Sequence, residues 1–237
     1  MSIAKLSIWL IGVSITGVVS SQSGGDVPEN TLSSTEIIAR MMEGERARTA
    51  ALRECTSLRS YFLENKRFNK TAETTVKATY RRPGDKEFEV LSQSGSGVLQ
   101  RKVFRRMLDS EMEATKEPMR EATQITPDNY DFLFTGVDHD RGRRAFVFEI
   151  SPKVWNKFMI KARIWLDGED FAITRIEGSP AKSPSMWMRR TTFVQTYQKH
   201  GAFWMAASNV WETDMTLFGH TKIQILYTDY RFNPAPK

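Results

Sequence analysis

Cysteine, histidine and long apolar runs are scarce in this sequence, and each shortage excludes a class of protein. The single cysteine, Cys55, excludes an intramolecular disulfide, so a packed core must hold the fold. The three histidines, His139, His200 and His220, are far apart, and none has a second ligand at the spacing of a metal site. We therefore expect no metal centre.

Catalytic motifs are missing as well. The chain has no glycine-rich phosphate loop, no G-x-S-x-G nucleophile elbow and no paired Cys and His. Residues 138–142 (Asp-His-Asp-Arg-Gly) resemble the start of a calcium loop, but the later ligands are absent and arginines follow, which favours a hairpin turn. Because no acid/base pair can be assembled, we predict a non-enzymatic protein without a cofactor.

The N-terminus carries the pattern of an export signal. Lys5 precedes an apolar stretch at 6–19, and small residues follow it. The stretch is shorter than the roughly 20 residues of a membrane-spanning helix. We predict a cleaved signal peptide at 1–21, a flexible leader at 22–32 and a single domain at 33–237, with a retained N-terminal anchor as the alternative. No cysteine lies near the cleavage point, so the protein is not itself expected to be a lipoprotein.

Basic residues exceed acidic ones, with a net charge of +6. A positive field favours anionic headgroups or an acidic protein partner, and Arg101, Arg105 and Arg106 are the candidates for such a surface. A solvated basic surface is the alternative interpretation. Nucleic acid is not expected as a partner, because no binding motif is present.

Alternating apolar residues dominate the second half of the chain. Between 129 and 232, aromatic and aliphatic residues occupy every second position, and Asp/Gly-rich turns such as 167–170 separate the runs. This pattern predicts consecutive antiparallel hairpins, about seven strands in all. Earlier in the chain, the same pattern predicts strands at 58–64 and 71–80 and a third that starts at 88.

Two segments have helical spacing instead. Ser33 or Ser34 can cap a helix over 34–54. Cys55 comes late in the same helical pattern, which favours a small buried apolar residue over a reactive thiol. Met41 and Met42 lie on its apolar stripe, which indicates either core packing or an adaptable wall for an apolar ligand. A second, basic helix is predicted at 98–115. We expect residues 113–128 to form an irregular connection or flap.

One architecture satisfies this order of elements. We predict an α+β fold, a curved open antiparallel sheet (an unclosed barrel of about 10 strands) with two or three helices covering the concave face. Many aromatic residues lie on the predicted strands, and the helices are too few to cover such a sheet fully. The concave face is thus either a ligand cavity or a filled core.

Three segments resemble those of a known family. Residues 79–83 (Thr-Tyr-Arg-Arg-Pro) with 88–90, the hairpin at 165–178 and the final strand at 227–233 resemble the LolA/LolB-like periplasmic lipoprotein carriers and the RseB-like sensors that share their fold. The basic helix after 94–97 (Ser-Gly-Ser-Gly) departs from the carriers' pattern. The resemblance implies an unclosed barrel with helices as a lid over an apolar cavity.

The resemblance also implies a function and a set of site residues. A periplasmic monomer would shelter the acyl chains of a lipoprotein or lipid for outer-membrane sorting, with Arg82 in the position that ties barrel to lid and gates it. The alternative is an RseB-like envelope-stress regulator that binds a membrane-protein partner. The predicted cavity residues are Met41, Met42, Tyr80, Phe88, Phe132, Phe134, Phe148, Trp165, Phe193 and Trp204.

Overall fold

The computed structural model describes residues 32–82, 85–114, 119–155, 158–183, 188–216 and 219–233. The predicted signal peptide and almost all of the predicted leader lie outside these ranges. The helical elements are α1 (Ser34–Ala51), α2 (Gly97–Leu99), a π-helical turn (Gln100–Phe104), α3 (Arg105–Ala114) and α4 (Met119–Thr123). The strands are β1 (Glu54–Asn65), β2 (Lys70–Arg81), β3 (Asp85–Gly95), β4 (Tyr130–Asp140), β5 (Arg143–Pro152), β6 (Ile160–Asp167), β7 (Ile173–Pro180), β8 (Met188–His200), β9 (Phe203–Met215) and β10 (Gly219–Phe232).

All ten strands belong to one antiparallel sheet, in the order β3-β2-β1-β10-β9-β8-β7-β6-β5-β4. Strands that are consecutive in the chain are neighbours in the sheet, except β3 and β4, which lie at its two edges. The first and last strands, β1 and β10, pair with each other inside the sheet. The edge strands β3 and β4 do not pair with each other, so the sheet stays open. The predicted fold class and the predicted number of strands are confirmed.

α1 begins at a capping box and ends earlier than predicted. The Ser33 hydroxyl accepts from the Glu36 backbone N–H, while the Glu36 carboxylate accepts from the Ser33 backbone. The prediction that Cys55 ends this helix is wrong, because Cys55 pairs with Tyr80 and Phe232 as part of β1. The backbone hydrogen bonds of β1 to β2 and β10 outweigh the helical propensity of these residues. Cys55 is buried, as predicted.

The second helical segment follows the prediction in position but not in detail. Residues 97–114 are helical throughout, with the π-helical turn between α2 and α3. The expectation of an irregular connection at 113–128 is wrong at α4, a short helix within it. The third strand also starts earlier than predicted, because Asp85 already pairs with Arg81 across the β2–β3 turn.

One large cluster of buried side chains forms the core on the helix-bearing face of the sheet. It joins α1, the 97–114 helical segment and the central strands. A second, smaller cluster around Leu52 and Cys55 closes the end of the sheet beside the last turn of α1. A third lies on the opposite face and consists of Ala145, Val147 and Trp165.

Candidate functional site: the concave face of the sheet

The face on which the helices lie, called the concave face below, is mostly apolar and aromatic. Alternate positions along each strand point to this face, so the period of two in the sequence places them together. Its buried apolar and aromatic side chains include Tyr61, Leu63, Ala72, Val76, Phe148, Ile164, Ile176, Phe193, Trp211, Ile223 and Ile225. Such a surface suits an acyl chain as well as it suits a lid.

α1 spans one end of the concave face and is held at two places. Near its C-terminus, the Arg82 guanidinium donates to the Ala50 carbonyl at 3.0 Å. Near its middle, the Arg40 guanidinium lies 5.1 Å from the centre of the Phe171 ring. Phe171 has a positive φ of 52°, which is uncommon for a bulky residue and indicates that its surroundings fix the β6–β7 turn.

Asp167 fixes the β6–β7 turn from within. Its carboxylate is 1% exposed and accepts from Arg143 at 2.6 Å and from the backbone N–H groups of Glu169 and Asp170. Burial alone would raise the pKa of Asp167, but the hydrogen bonds from Arg143 and the turn backbone outweigh burial and lower it. Asp170 in turn accepts from the Trp204 indole at 2.8 Å, so the turn is tied to β9.

The 97–114 helical segment covers β1, β2 and β3. Phe104 packs against Tyr61 with ring centres 5.8 Å apart. The buried Gln100 side chain donates to the carbonyls of Glu73 at 2.7 Å and Ser94 at 2.6 Å, which anchors the start of the segment to the sheet. This end of the segment is therefore held by neutral contacts.

Charge holds the other end, around Glu111. This carboxylate is 1% exposed and accepts two hydrogen bonds from one Arg59 nitrogen and one from Lys86, all at 2.8 Å. The Arg59 guanidinium also lies 5.2 Å from the ring centres of Phe88 and Tyr227. We call Arg59, Lys86 and Glu111 the charge triad; it is the ionic connection between α3 and the concave face.

Glu111 and Arg59 stabilise each other's charged forms in the folded protein. Burial alone would raise the pKa of Glu111, but the charges of Arg59 and Lys86 and their hydrogen bonds bring it below its ordinary value. Burial would lower the pKa of Arg59, but the Glu111 carboxylate raises it well above its ordinary value. A buried cluster of this kind is costly to break on one side, because the remaining charge loses its partner.

Four polar side chains interrupt the apolar surface at the centre of the sheet. We call Tyr197, Asn209, Trp211 and Tyr227 the central polar patch; their exposed fractions are 1%, 0%, 4% and 7%. The Asn209 amide nitrogen donates to Gln195 at 2.9 Å. However, Asn209 Oδ1, Trp211 Nε1 and both tyrosine hydroxyls have no hydrogen-bond partner among the described residues. An unpaired buried polar group costs about 1–3 kcal/mol.

Most of the predicted cavity residues lie on or beside the concave face. Four of them are buried in the large core cluster: Met41, Phe148, Phe193 and Trp204. Three others are partly buried against it: Met42, Phe88 and Phe132. Phe134, on the edge strand β4, is 40% exposed and packs on Phe148 with ring centres 5.2 Å apart.

Two predicted residues lie elsewhere. Trp165 was expected to line the cavity, but it is on the opposite face, where it pairs with Val147, while its neighbour Ile164 points to the concave side. Its indole donates to Asp138 at 3.1 Å. Tyr80 packs with the smaller cluster around Leu52, at the end of the sheet and outside the large core.

The predicted charged residues are at the surface. Arg82 is exposed and bonded to α1 as described above, although Pro83 of its Arg-Pro step lies outside the described ranges. Arg101 and Arg105 are exposed one helical turn apart. Arg106 belongs to α3, but its side chain is outside the description.

A cavity of about 420 Å³ lies at the end of the sheet where β7 and β8 separate. Its lining includes the side chains of Arg141, Arg143, Lys199 and Trp204. Most of its cations are already paired: Arg141 with Asp140, Arg143 with Asp167, and Lys199 with Asp170. The lining nevertheless keeps a positive excess, because these cations and Arg144 outnumber the two lining carboxylates, Asp140 and Asp167.

The described part of the chain has no group of three or more His, Cys, Asp or Glu side chains that could hold a metal ion. None of its helices is long and apolar enough to cross a membrane.

The charge triad and the central polar patch were not predicted from the sequence. Glu111, Arg59 and Lys86 lie on three different elements, so no local spacing connects them. Asn209 and Gln195 carry a weak signal, since each is a polar residue at an inward position of an alternating strand.

Comparison with solved structures gives matches of low sequence identity, among them the following three. A DUF1329 family protein from Desulfovibrio piger is 13% identical, with a TM-score of 0.42, over 85% of this chain and 92% of that chain. A domain assigned to outer membrane lipoprotein sorting from Vibrio parahaemolyticus is 12% identical, with a TM-score of 0.40, over 78% and 87%. The MucA/MucB complex of Pseudomonas aeruginosa matches at 13% identity and a TM-score of 0.25, over 76% and 94%.

These neighbours are a DUF1329 protein, a lipoprotein-sorting domain and the MucA/MucB complex. No protein-family model and no curated protein matches the chain. At these TM-scores the likeness concerns the layout of the sheet, and no residue is matched between the structures.

Proposed function

We propose that the protein is an exported, non-enzymatic periplasmic carrier that shelters the acyl chains of a lipoprotein or lipid on its concave face. The observation that supports this is the combination of a broad apolar face with two helical covers, α1 and α3, each fixed to the sheet by polar contacts. Polar contacts at the ends of a lid can be exchanged for water when the lid opens, while the apolar face takes up the ligand.

The energetics of acyl binding fit an open groove. Burying one methylene of a fatty chain contributes about 0.8 kcal/mol, so even partial burial of a long chain holds it reversibly. Met41 and Met42 line the underside of α1, and their flexible side chains adapt to a ligand of irregular shape.

Arg82 is the proposed gate. Its hydrogen bond to the Ala50 carbonyl joins the end of β2 to the last turn of α1, which is the connection that the family resemblance implies for this position. One such bond contributes about 0.5–1.5 kcal/mol, enough to bias a lid without locking it.

The test is saturable binding and release of a fluorescent C16 fatty acid by the purified domain, followed by transfer to acceptor vesicles. Wild type should bind with one site, and Arg82→Leu should change the release rate by trapping or blocking the cargo. Arg81→Leu is the matched control, because Arg81 pairs with Glu87 on the neighbouring strand. Absence of saturable binding would contradict the carrier function, and unchanged release in Arg82→Leu would remove the gate.

A second function rests on a different observation. Arg101 and Arg105 are exposed side by side on the helical segment that covers β2 and β3, and could bind an acidic segment of a membrane-protein partner, as in a regulator of the MucB type. This function predicts salt-sensitive association with a protein and little co-purifying lipid. The double variant Arg101→Glu/Arg105→Glu should abolish that association and leave fatty-acid binding unchanged.

A further inference from the structure

The central polar patch is a single site, spread over three adjacent strands with Asn209 at its centre. Asn209 is directly opposite Gln195 on β8 and Ile225 on β10. Tyr197 and Tyr227 are therefore its diagonal neighbours, and Trp211 is the next inward residue on β9. One acceptor and three donors on these neighbouring positions have no hydrogen-bond partner among the described residues.

The apolar side chains of the helical cover do not complement this area. α1 contributes Ile37 and Met41 to the same core cluster, and these side chains offer no hydrogen bond to an indole N–H or a tyrosine hydroxyl. Among the described residues, the polar approach from α1 to the patch is at its Tyr197 end, where burial and the nearby Glu45 carboxylate raise the pKa of the tyrosine hydroxyl. A face that only had to pack against an apolar helix would be more stable with apolar residues at these four positions. The polar atoms thus match something other than the lid that covers them.

A carbonyl linkage within an acylated molecule provides the missing partners. An ester or amide carbonyl accepts from Trp211 and from a tyrosine hydroxyl, and an amide N–H also donates to Asn209 Oδ1. The surrounding apolar surface would take the hydrocarbon on either side of the linkage. A plain hydrocarbon chain would satisfy none of these atoms.

We infer that the central polar patch binds the ester or amide linkage of an acyl ligand, so that the concave face selects acylated molecules over simple hydrocarbons. This inference rests on the proposed carrier function and specifies its ligand class. Ordered water is the competing occupant, and it predicts no difference between ligands.

The experiment compares two ligands that have the same number of heavy atoms, N-methylpalmitamide and nonadecane, by displacement of a bound fluorescent fatty acid. The variants are Trp211→Phe, Tyr227→Phe and their combination. Trp165→Phe is the matched control, because Trp165 lies on the opposite face with its own partner, Asp138.

We expect wild type to prefer the amide, and each variant to lose about three- to ten-fold in amide affinity with nonadecane affinity unchanged. Trp165→Phe should leave both affinities unchanged. Equal affinities of wild type for the two ligands, or equal losses in the variants, would overturn the inference while leaving the carrier function intact. Binding of neither ligand by wild type would overturn both.

Stability provides a second, ligand-independent measurement. Tyr227→Phe suits this measurement, because it removes only the hydroxyl. Since the Tyr227 hydroxyl has no hydrogen-bond partner among the described residues, this variant should leave the urea midpoint of the apoprotein unchanged or raise it. A clear fall in the midpoint for Tyr227→Phe would mean that the hydroxyl is paired within the protein, and would overturn the inference.

Discussion

Replacement of Glu111 by glutamine tests whether the charge triad fixes α3 to the sheet. The Glu111 carboxylate is 1% exposed and balances Arg59 and Lys86, each at 2.8 Å. Glutamine keeps the size of the side chain and one acceptor oxygen, but it brings no negative charge. The Arg59 side chain is only 11% exposed, so it cannot regain hydration unless α3 moves away.

The expected loss is large for a single substitution. Removal of one partner from a buried ion pair costs about 3–5 kcal/mol, most of it the cost of the unpaired charge that remains. For a domain of this size, each kcal/mol corresponds to roughly 2–4 °C in Tm, so a fall of about 10 °C is expected. The effect should be strongest in α3, which the triad connects to β1 and β3.

Two measurements check this expectation. Urea unfolding at neutral pH gives the change in the free energy of unfolding, and amide hydrogen exchange of residues 105–114 shows whether α3 opens locally. Glu87→Gln is the matched control, because Glu87 is 69% exposed and pairs with Arg81 at the surface. An exposed pair contributes at most about 1 kcal/mol.

The triple variant Arg59→Met, Lys86→Met, Glu111→Met completes the test. Replacing all three members by apolar residues removes the unpaired charge, so its stability should return to within about 2 kcal/mol of wild type. If Glu111→Gln loses no more than the Glu87→Gln control, the reasoning is refuted and α3 is held by its apolar contacts alone.

Three further results are expected. The pKa of Glu111 is lower in the folded protein than in the unfolded chain. Its stabilising contribution is therefore complete above the unfolded value of about 4.5 and is lost as pH falls through the folded value. On acidification, the urea midpoint of wild type should fall more than that of Glu111→Gln. Burial raises the pKa of the Cys55 thiol to about 12, so alkylation of Cys55 requires opening of the end of the sheet beside α1. Arg82→Leu should speed this alkylation a few-fold, because it removes the hydrogen bond to α1, and Arg81→Leu should not. Phe148→Ala should destabilise by about 3–5 kcal/mol because Phe148 is fully buried, whereas Phe62→Ala, on a side chain 36% exposed, should lose less than half as much by the same denaturation assay.

Local patterns were sufficient for the overall architecture. Strands such as β2 and β10 alternate buried and more exposed residues over most of their length, and turns rich in Gly, Asp and Asn separate the strands, so the hairpin order could be predicted without tertiary information. The start of α1 was likewise predictable, because the capping box at Ser33 and Glu36 is a local interaction.

The errors arise where two distant segments compete or cooperate. Helical spacing continues past Ala51, but pairing with β2 and β10 pulls Glu54 and Cys55 into β1. Trp165 was placed on the wrong face because Ala145 and Val147 bury its side of the sheet as well. When a strand is buried on both faces, the sequence does not show to which face an apolar residue points.

The triad could not be predicted for the same reason. Arg59 and Glu111 are separated by 52 positions, and the sequence shows only an arginine on a strand and a glutamate on a helix. Their contact depends on how α3 lies across β1, which no local period encodes.

Native mass spectrometry shows whether the concave face binds acyl chains. The protein should be purified from a periplasm without detergent, and the bound material extracted and identified. We expect one acyl-containing molecule per chain, displaced by added fatty acid. A ligand-free mass, together with no uptake of a fluorescent fatty acid, would contradict it and indicate that the lid and the sheet form a permanently filled core.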